Sequence, residues 1–150
     1  MVNTSKGLTE ATWELLDVQR QGDKQTQSMS TKTIHKFVDT WIWAQNARRF
    51  KGYSWLYGSD FHGIERGRVG AGSFNRSGWL HKREPMFETK TRVRVEDMKI
   101  LRTGDTAVVL FEQHRAHGPR SDRGLRELRL GLEKGRVVIA REETLYALAH

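Results

Sequence analysis

The stretch from Thr91 to Glu143, TRVRVEDMKILRTGDTAVVLFEQHRAHGPRSDRGLRELRLGLEKGRVVIAREE, decides the fold of this chain. It contains four segments in which apolar and polar residues alternate, and a period of two predicts β-strands. Polar turn residues separate the segments, so antiparallel hairpins are the shortest connections between neighbours. The predicted strands are 91–102, 105–117, 124–133 and 135–144, with turns at 103–105, 118–124 and 134–135.

The helices that can cover this sheet precede it in the chain. Residues 31–50 carry apolar side chains at helical spacing and predict an amphipathic helix, for which Ser30 or Thr31 is a suitable N-cap. A second short helix is predicted at 53–61, and a third begins at Asn75 or Ser77 and ends at Arg83, before Pro85. The strand at 105–117 is partly apolar on both faces, which indicates helices on one face and a partner subunit on the other.

The remaining segments predict irregular structure. Residues 62–72 hold four of the 14 glycines, and this density predicts a loop. Residues 8–20 show a short amphipathic pattern, and the polar, glutamine-rich segment that follows is typical of a linker. The predicted organisation is therefore an N-terminal helix with a polar linker at 1–30, followed by one domain at 31–146.

The composition restricts the classes of function. The chain has 26 basic and 18 acidic side chains, a formal net charge of +8, which favours nucleic acid, a phosphorylated or carboxylated ligand, or an acidic polymer as partner. The absence of cysteine excludes a disulfide framework, a thiolate metal site and a cysteine nucleophile. No apolar run has the roughly 18 residues of a membrane span, and residues 1–16 lack the features of a signal peptide.

A set of residues at characteristic spacing extends over 33–143. After a first helix that contains tryptophan, they are Tyr53, Tyr57 and Phe61; Trp79, Lys82 and Arg83; Val93 and Val95; FEQHR at 111–115; GLRELRL at 124–130; and Gly135, Ile139 and Glu142. In order and spacing they resemble the nuclear-transport-factor-2-like domain that is appended to bacterial L,D-transpeptidase-like proteins of the peptidoglycan layer. The wider superfamily includes the ketosteroid isomerases.

The resemblance implies a cone-shaped α+β fold in which N-terminal helices pack on a curved antiparallel β-sheet. The implied function is a noncatalytic ligand- or partner-binding and dimerisation domain that accompanies a cell-wall enzyme, since the transpeptidase site itself needs a cysteine. A homodimer is expected. The implied location is the periplasm or cell envelope, with the cytoplasm as the alternative if the resemblance does not hold.

In such a fold the ligand pocket lies between the helices and the concave face of the sheet. The candidates for binding a small anionic or cell-wall ligand are Tyr57, Trp79, Gln113, Arg126 and Glu142 inside the pocket, with Arg94 and Arg115 at its mouth. The alternative is structural: Tyr57 and Trp79 belong to the core, and Arg126 pairs with Glu142 across two strands.

Two other functions are open. A small enzyme of the ketosteroid-isomerase or dehydratase kind needs a carboxylate base facing an oxyanion donor, and Glu142 with Tyr57 is the best available pair. The sequence does not indicate that these two side chains meet, so a structural or ligand-fixing role is favoured over catalysis. A binder of anionic polymers is the third hypothesis, and it depends on the net charge alone.

No cofactor and no metal site are expected. The six histidines show no ligand motif, and His114 with His117 would need a third ligand such as Asp122. Basic residues cluster at 114–123, the tip of a predicted hairpin. No aromatic side chain lies among them to stack on bases, so nucleic acid is not an expected partner.

Overall fold

The computed structural model describes residues 29–67 and 70–149, and side chains as far as Leu145. The helix predicted at 8–20 and almost all of the linker lie outside these residues. The helices are α1 (Thr31–Asn46), α2 (Phe50–Trp55) and α3 (Arg76–Arg83), followed by a 3-10 helix (Glu84–Phe87). The strands are β1 (Tyr57–Gly67), β2 (Gly70–Asn75), β3 (Thr91–Thr103), β4 (Thr106–His117), β5 (Arg120–Glu133) and β6 (Arg136–Ala149).

The strands form one six-stranded sheet in the order β2-β1-β6-β5-β4-β3. All neighbours are antiparallel except β1 and β6, which pair in parallel. The meander from β3 to β6 confirms the four predicted strands. The sheet is mostly antiparallel, as predicted, and the one parallel pair arises because β1 joins the meander along the edge of β6 that β5 leaves open.

The loop predicted at 62–72 was wrong: these residues belong to the hairpin of β1 and β2, apart from 68 and 69, which are not described. At one of these strand positions a partner leaves no room for a side chain: a Cβ at Gly63 would overlap the indole of Trp79. A glycine in a strand can thus mark close packing rather than irregular backbone.

The helices were predicted with different accuracy. Helix α1 is capped by Ser30, one of the two predicted caps, whose hydroxyl accepts from the Thr33 amide at 3.0 Å. Helix α3 is capped by Asn75, which was predicted as a possible first residue of that helix. Helix α2 begins at Phe50 and ends at Trp55, so the prediction of helix at 53–61 was wrong over the part that forms β1. No helix within the described residues is long and apolar enough to cross a lipid bilayer.

Helix α1 lies on the inner face of the sheet and fills the cone. Its buried side chains recur at helical spacing and include Ile34, Phe37 and Trp41. The ring centroid of Trp41 lies 5.7 Å from that of Phe111 on β4. At the end of α1, the Asn46 side chain accepts from the Val93 amide at 2.6 Å and donates to the Val93 carbonyl at 3.0 Å, which fixes the helix to edge strand β3.

Strand β3 forms one edge of the sheet and is irregular in the middle. Its pairing with β4 shifts register between Glu96 and Lys99, and Asp97 within this bulge has a φ of 55°. The turn between β4 and β5 consists of residues 118 and 119 rather than the predicted 118–124, because β5 already begins at Arg120.

The outer face of the sheet carries an apolar patch among charged side chains. Leu101 pairs with Val108, and Leu110 and Leu125 lie on the same face of β4 and β5. Leu101 is 68% exposed, whereas the other three are partly buried. The helices cover only the inner face, so this patch, here called the outer patch (Leu101, Val108, Leu110, Leu125), has no cover within the described chain.

The contact between Gly63 and Trp79 gives a testable prediction. Gly63→Ala should lower the free energy of unfolding by about 1–3 kcal/mol, because the added methyl group must displace the buried indole. Gly131→Ala is the matched control, since a Cβ there would lie 4.0 Å from the Cβ of Ala140, an ordinary contact. Urea unfolding of the two variants measures both effects, and equal stability would contradict the close approach.

Candidate functional site

The carboxylate of Glu142 lies in the interior of the cone and is 0% exposed. Its Oε1 accepts from the hydroxyl of Tyr57 at 2.6 Å, and its Oε2 accepts from Nη1 of Arg126. The three residues come from β6, β1 and β5, which are adjacent in the sheet. Both carboxylate oxygens thus have a donor, and the negative charge has a buried cation beside it, as burial of an ionised group requires.

The hydroxyl of Tyr57 extends this network to the helices. It lies 2.8 Å from the hydroxyl of Tyr53 in α2, and it accepts from Nε1 of Trp41 in α1 at 3.1 Å. Burial and the neighbouring Glu142 carboxylate raise the pKa of Tyr57 well above its ordinary value. Tyr57 therefore keeps its proton at neutral pH and acts as a hydrogen-bond donor to Glu142.

A second buried group lies beside this network, around Trp79 of α3. The Trp79 ring packs against Phe61 with 5.3 Å between centroids, and the guanidinium carbon of Arg83 lies 3.4 Å above the ring. Arg83 is 3% exposed and donates from Nη2 to Glu65 at 2.9 Å. Burial alone would raise the pKa of Glu65, but the hydrogen bond from Lys82 and the charge of Arg83 lower it, so the carboxylate stays ionised.

A pocket opens at the rim of the cone, where the helices meet the first residues of β3 and the last residues of β4. Its lining, which defines the rim pocket, consists of Gln45, Tyr53, Arg83, Met86, Phe87, Thr91 and Arg115. The pocket contains about 260 Å³ of empty space when the part open to solvent is counted, but the centre of a water-sized sphere can occupy only about 10 Å³. That is room for one water or one small polar group.

The two arginines of the rim pocket are incompletely paired. Arg83 has no acceptor at Nε or Nη1, and Arg115 has none at Nε, among the residues that the structure describes. The other contacts of Arg115 are weak: Nη2 lies 3.4 Å from Oε1 of Gln45, and Nη1 lies 3.8 Å from the sulfur of Met86. Burial and the nearby Arg126 cation lower the pKa of Arg115.

The predicted site residues are divided between three places. Tyr57, Arg126 and Glu142 meet in the interior, although no local pattern indicated contact between Tyr57 and Glu142. Arg115 lies in the lining of the rim pocket.

The other candidates are placed differently. Trp79 is fully buried next to Arg83, and Gln113 is 3% exposed with an Oε1 that has no partner among the described residues. Arg94 lies exposed on the outer face, paired with Glu96, so its expected place at the pocket mouth was wrong. The arrangement also confirms the alternative interpretation in which Arg126 pairs with Glu142 across β5 and β6.

A wider groove, with about 500 Å³ accessible to water, lies on the outside between α2, α3 and the turn from β5 to β6. Its charged groups already have partners. Glu133 accepts from the amide and hydroxyl of Ser59 at 2.8 Å, Arg76 donates to the Tyr57 carbonyl at 3.1 Å, and Arg136 donates to the Trp55 carbonyl. The groove thus presents fewer unpaired donors than the rim pocket.

The carboxylates and imidazole of Glu96, Glu112 and His114 lie on the outer face with ligand atoms within 4.8 Å of one another. The imidazole Nε2 of His114 is 2.9 Å from Glu112, and Glu96 pairs with Arg94. His117, which was considered beside His114 only with a third ligand, does not belong to this cluster. Even and odd positions on a strand face opposite ways, and His117 contacts Thr91 at 3.2 Å.

Three helices and a curved six-stranded sheet that encloses an aromatic core constitute the nuclear-transport-factor-2-like fold, which confirms the predicted α+β class. No protein-family model matches the sequence, and no curated protein sequence matches it either. Similarity to known proteins is therefore found by comparison with solved structures.

Similar structures come from several bacteria. Bd1075 of Bdellovibrio bacteriovorus superposes with a TM-score of 0.63 and 20% identity over 75% of this chain and 39% of that chain, so this chain spans about two fifths of Bd1075. An NTF2-like protein of unknown function from Pseudomonas putida KT2440 superposes with a TM-score of 0.67 and 14% identity, over 78% of this chain and 88% of that chain. A putative scytalone dehydratase from Novosphingobium aromaticivorans DSM 12444 superposes with a TM-score of 0.64 and 12% identity, over 89% of this chain and 91% of that chain. At these identities the likeness concerns the fold.

Sequence reasoning missed most of the rim pocket. Arg83 was predicted as the last residue of the third helix and not as a pocket residue, and the structure shows that it is buried. The available signal was the spacing of Trp79 and Arg83, four residues apart on α3, which places a guanidinium over an indole. Gln45, Met86 and Thr91 carry no such signal, because they converge from separate elements.

The buried ion pair of Glu142 gives a second prediction. Glu142→Gln should lower the free energy of unfolding by about 3–5 kcal/mol, because the Arg126 cation remains buried without its anion. Glu127→Gln is the matched control: its partner Arg129 has a side chain that is 54% exposed, so the loss should stay below about 1 kcal/mol. Denaturant unfolding of both variants measures the difference in the free energy of unfolding. Equal losses would show that the interior ion pair contributes no more to stability than the exposed one.

Proposed function

We propose that this chain is a noncatalytic ligand-binding and dimerisation domain that accompanies a cell-wall protein of the L,D-transpeptidase type. The ligand site is the rim pocket, and the ligand is a small anionic group or a cell-wall fragment. The cell-wall assignment, with a location in the periplasm or cell envelope, depends on the resemblance of residues 33–143 to the domain appended to such proteins.

The observation that carries the noncatalytic assignment is the state of Glu142. It is completely buried, and both of its oxygens already accept hydrogen bonds, from Tyr57 and Arg126. A general base must reach the proton that it removes, directly or through one water. Glu142 is absent from the lining of the rim pocket, so a ligand there does not meet this carboxylate.

The rim pocket supports a binding role. Buried polar groups in proteins nearly always have hydrogen-bond partners, and an unsatisfied one costs about 1–3 kcal/mol. Arg83 and Arg115 leave three buried N–H positions unpaired at one opening of the cone. Such a cost is tolerated where a ligand provides the missing acceptors.

The outer patch supports dimerisation. Four apolar side chains are grouped on the sheet face that the helices do not cover, and Leu101 among them is largely exposed. A self-complementary contact between two such faces is the arrangement expected for a twofold homodimer. The proposed dimer is therefore formed face to face through the sheets.

An enzyme of the ketosteroid-isomerase or dehydratase kind is the second candidate. The 2.6 Å contact between Tyr57 and Glu142 favours it, because a phenol beside a carboxylate is an acid–base pair. The ion pair with Arg126 and the complete burial of the Glu142 carboxylate weigh against it. The structural interpretation of this pair is therefore preferred.

Sedimentation with purified insoluble peptidoglycan tests the binding role. At physiological salt the wild-type chain should co-sediment, and Arg115→Gln should reduce the bound fraction severalfold by removing a pocket cation. Arg94→Gln, which removes the same charge from the exposed outer face, should leave binding unchanged.

Loss of wild-type binding between low and physiological salt, or equal loss in both variants, would contradict the pocket. It would indicate instead that the net charge of +8 causes binding to anionic polymers.

Sedimentation equilibrium over a range of concentrations tests the dimer. The wild-type chain should self-associate, and Leu101→Glu should weaken association by about tenfold or more, because a carboxylate in an apolar interface loses its hydration. His35→Glu on the exposed side of α1 introduces the same charge far from the patch and should leave association unchanged. A wild-type monomer at all concentrations would refute the interface.

A further inference from the structure

We propose that the rim pocket is a carboxylate-binding site, in which Arg83 and Arg115 together hold the oxygens of one carboxylate group of the ligand. This inference depends on the proposed function, because it assigns the chemical class of the group that the rim pocket binds. It adds Arg83, which has no place in the acid–base pair or in the outer patch, as a ligand-binding residue.

The position of Arg83 is unusual for a structural arginine. The residue is 3% exposed and is held in place by two contacts: its guanidinium lies on the Trp79 ring at 3.4 Å, and its Nη2 donates to Glu65 at 2.9 Å. These contacts fix the plane of the guanidinium and leave Nε and Nη1 without an acceptor among the described residues. Two N–H positions of a fixed, buried cation therefore remain for a ligand.

Arg115 contributes a second guanidinium at the same opening. It stands on the inner face of β4, and no carboxylate in the described chain lies within ion-pair distance of it. Its contacts with Gln45 and Met86 are long, and its Nε is buried without an acceptor. Arg83 and Arg126 both act on Arg115 as repulsive charges, and together with burial they lower its pKa, so an added anion would relieve an existing cost.

The charge balance around the pocket favours an anion over a neutral group. Glu65 is shared between Lys82 and Arg83, and Glu142 is neutralised by Arg126. Arg115 has no carboxylate within ion-pair distance among the described residues, and Asp122, its neighbour on β5, acts on it only from a longer distance. One carboxylate, that of Glu65, is shared by Lys82 and Arg83. A ligand with a single negative charge would bring the cluster closer to neutrality in a partly dehydrated place, where Coulomb attraction is strong.

The charge and the lining of the pocket favour a carboxylate over a phosphate. A carboxylate carries one negative charge, which matches the one guanidinium of the pocket that has no ion pair, whereas a phosphate monoester carries about 1.5–2 at neutral pH. Guanidinium groups match carboxylates in a planar, two-bond geometry. Tyr53, Met86 and Phe87 line the remainder of the pocket and provide an apolar surface for the carbon next to the carboxylate.

NMR detection of the arginine Nε–H signals of the full chain tests this inference. Acetate and N-acetylalanine should shift the Arg83 and Arg115 signals to saturation, whereas acetamide, the neutral analogue, should not. Tighter binding of N-acetylalanine would identify a peptide C-terminus as the ligand end, and equal or tighter binding of acetate would identify a free small acid. Shifts that do not saturate, or that acetamide or inorganic phosphate reproduces with equal affinity, would overturn the carboxylate assignment.

Arg115→Gln should weaken acetate binding by about tenfold or more, through loss of a charge-assisted hydrogen bond. Arg94→Gln should not change it, and circular dichroism checks that both variants fold. If Arg115→Gln does not fold, the wild-type comparison of acetate with acetamide still decides between the outcomes.

The outcomes also separate this inference from the proposed function. Saturable acetate binding without binding to peptidoglycan would remove the cell-wall assignment and keep the carboxylate site. Peptidoglycan binding that needs Arg115 but is accompanied by no response to acetate or N-acetylalanine would remove the carboxylate site alone.

Discussion

The buried carboxylate of Glu142 is the constraint on which the interior of this fold depends. An ionised group in an apolar core is tolerated only when its hydrogen bonds and its charge are both compensated. Arg126 compensates the charge, and Tyr57 provides the second hydrogen bond. Through Tyr57 the same network reaches Trp41 of α1 and Tyr53 of α2. One carboxylate thereby connects three strands and two helices, and a displacement of any of them would leave a polar group without its partner.

The interior and the rim differ in how far their polar groups are satisfied. Inside, the acid, the phenol and Arg126 pair with one another, and aromatic rings fill the surrounding volume. At the rim, Arg83 and Arg115 are also buried, but some of their N–H groups have no acceptor among the described residues. Under the proposed function these chemically similar side chains have different roles: the inner arginine stabilises the fold, whereas the outer two bind the ligand. The nuclear-transport-factor-2-like fold thus combines a closed core with an open end.

The meander was predictable from sequence because its signal is local. Period-two alternation from Thr91 onward gave all four strands, and the face shared by Val109, Phe111, Gln113 and Arg115 is the one that points to the core and the pocket. The hairpin of β1 and β2 was not predictable in this way, because its glycines suggested a loop, whereas Gly63 is required by contact with Trp79, which lies later in the chain. Contact between Tyr57 and Glu142 likewise depends on the parallel pairing of β1 with β6, a long-range feature that no local pattern contains. The residues that line the rim pocket come from six separate elements, and only part of the pocket was predicted.

The bulge in β3 has a consequence for how molecules of this protein can meet. A regular, exposed outermost strand invites another chain to continue the ladder, which leads to fibrous aggregation. Here the shift between Glu96 and Lys99 breaks the row of free backbone groups, and the positive φ of Asp97 turns the strand away from a flat edge. The opposite border, β2, is only six residues long. Lateral growth of the sheet is thus discouraged at both borders, which allows a high local concentration of the chain without fibre formation.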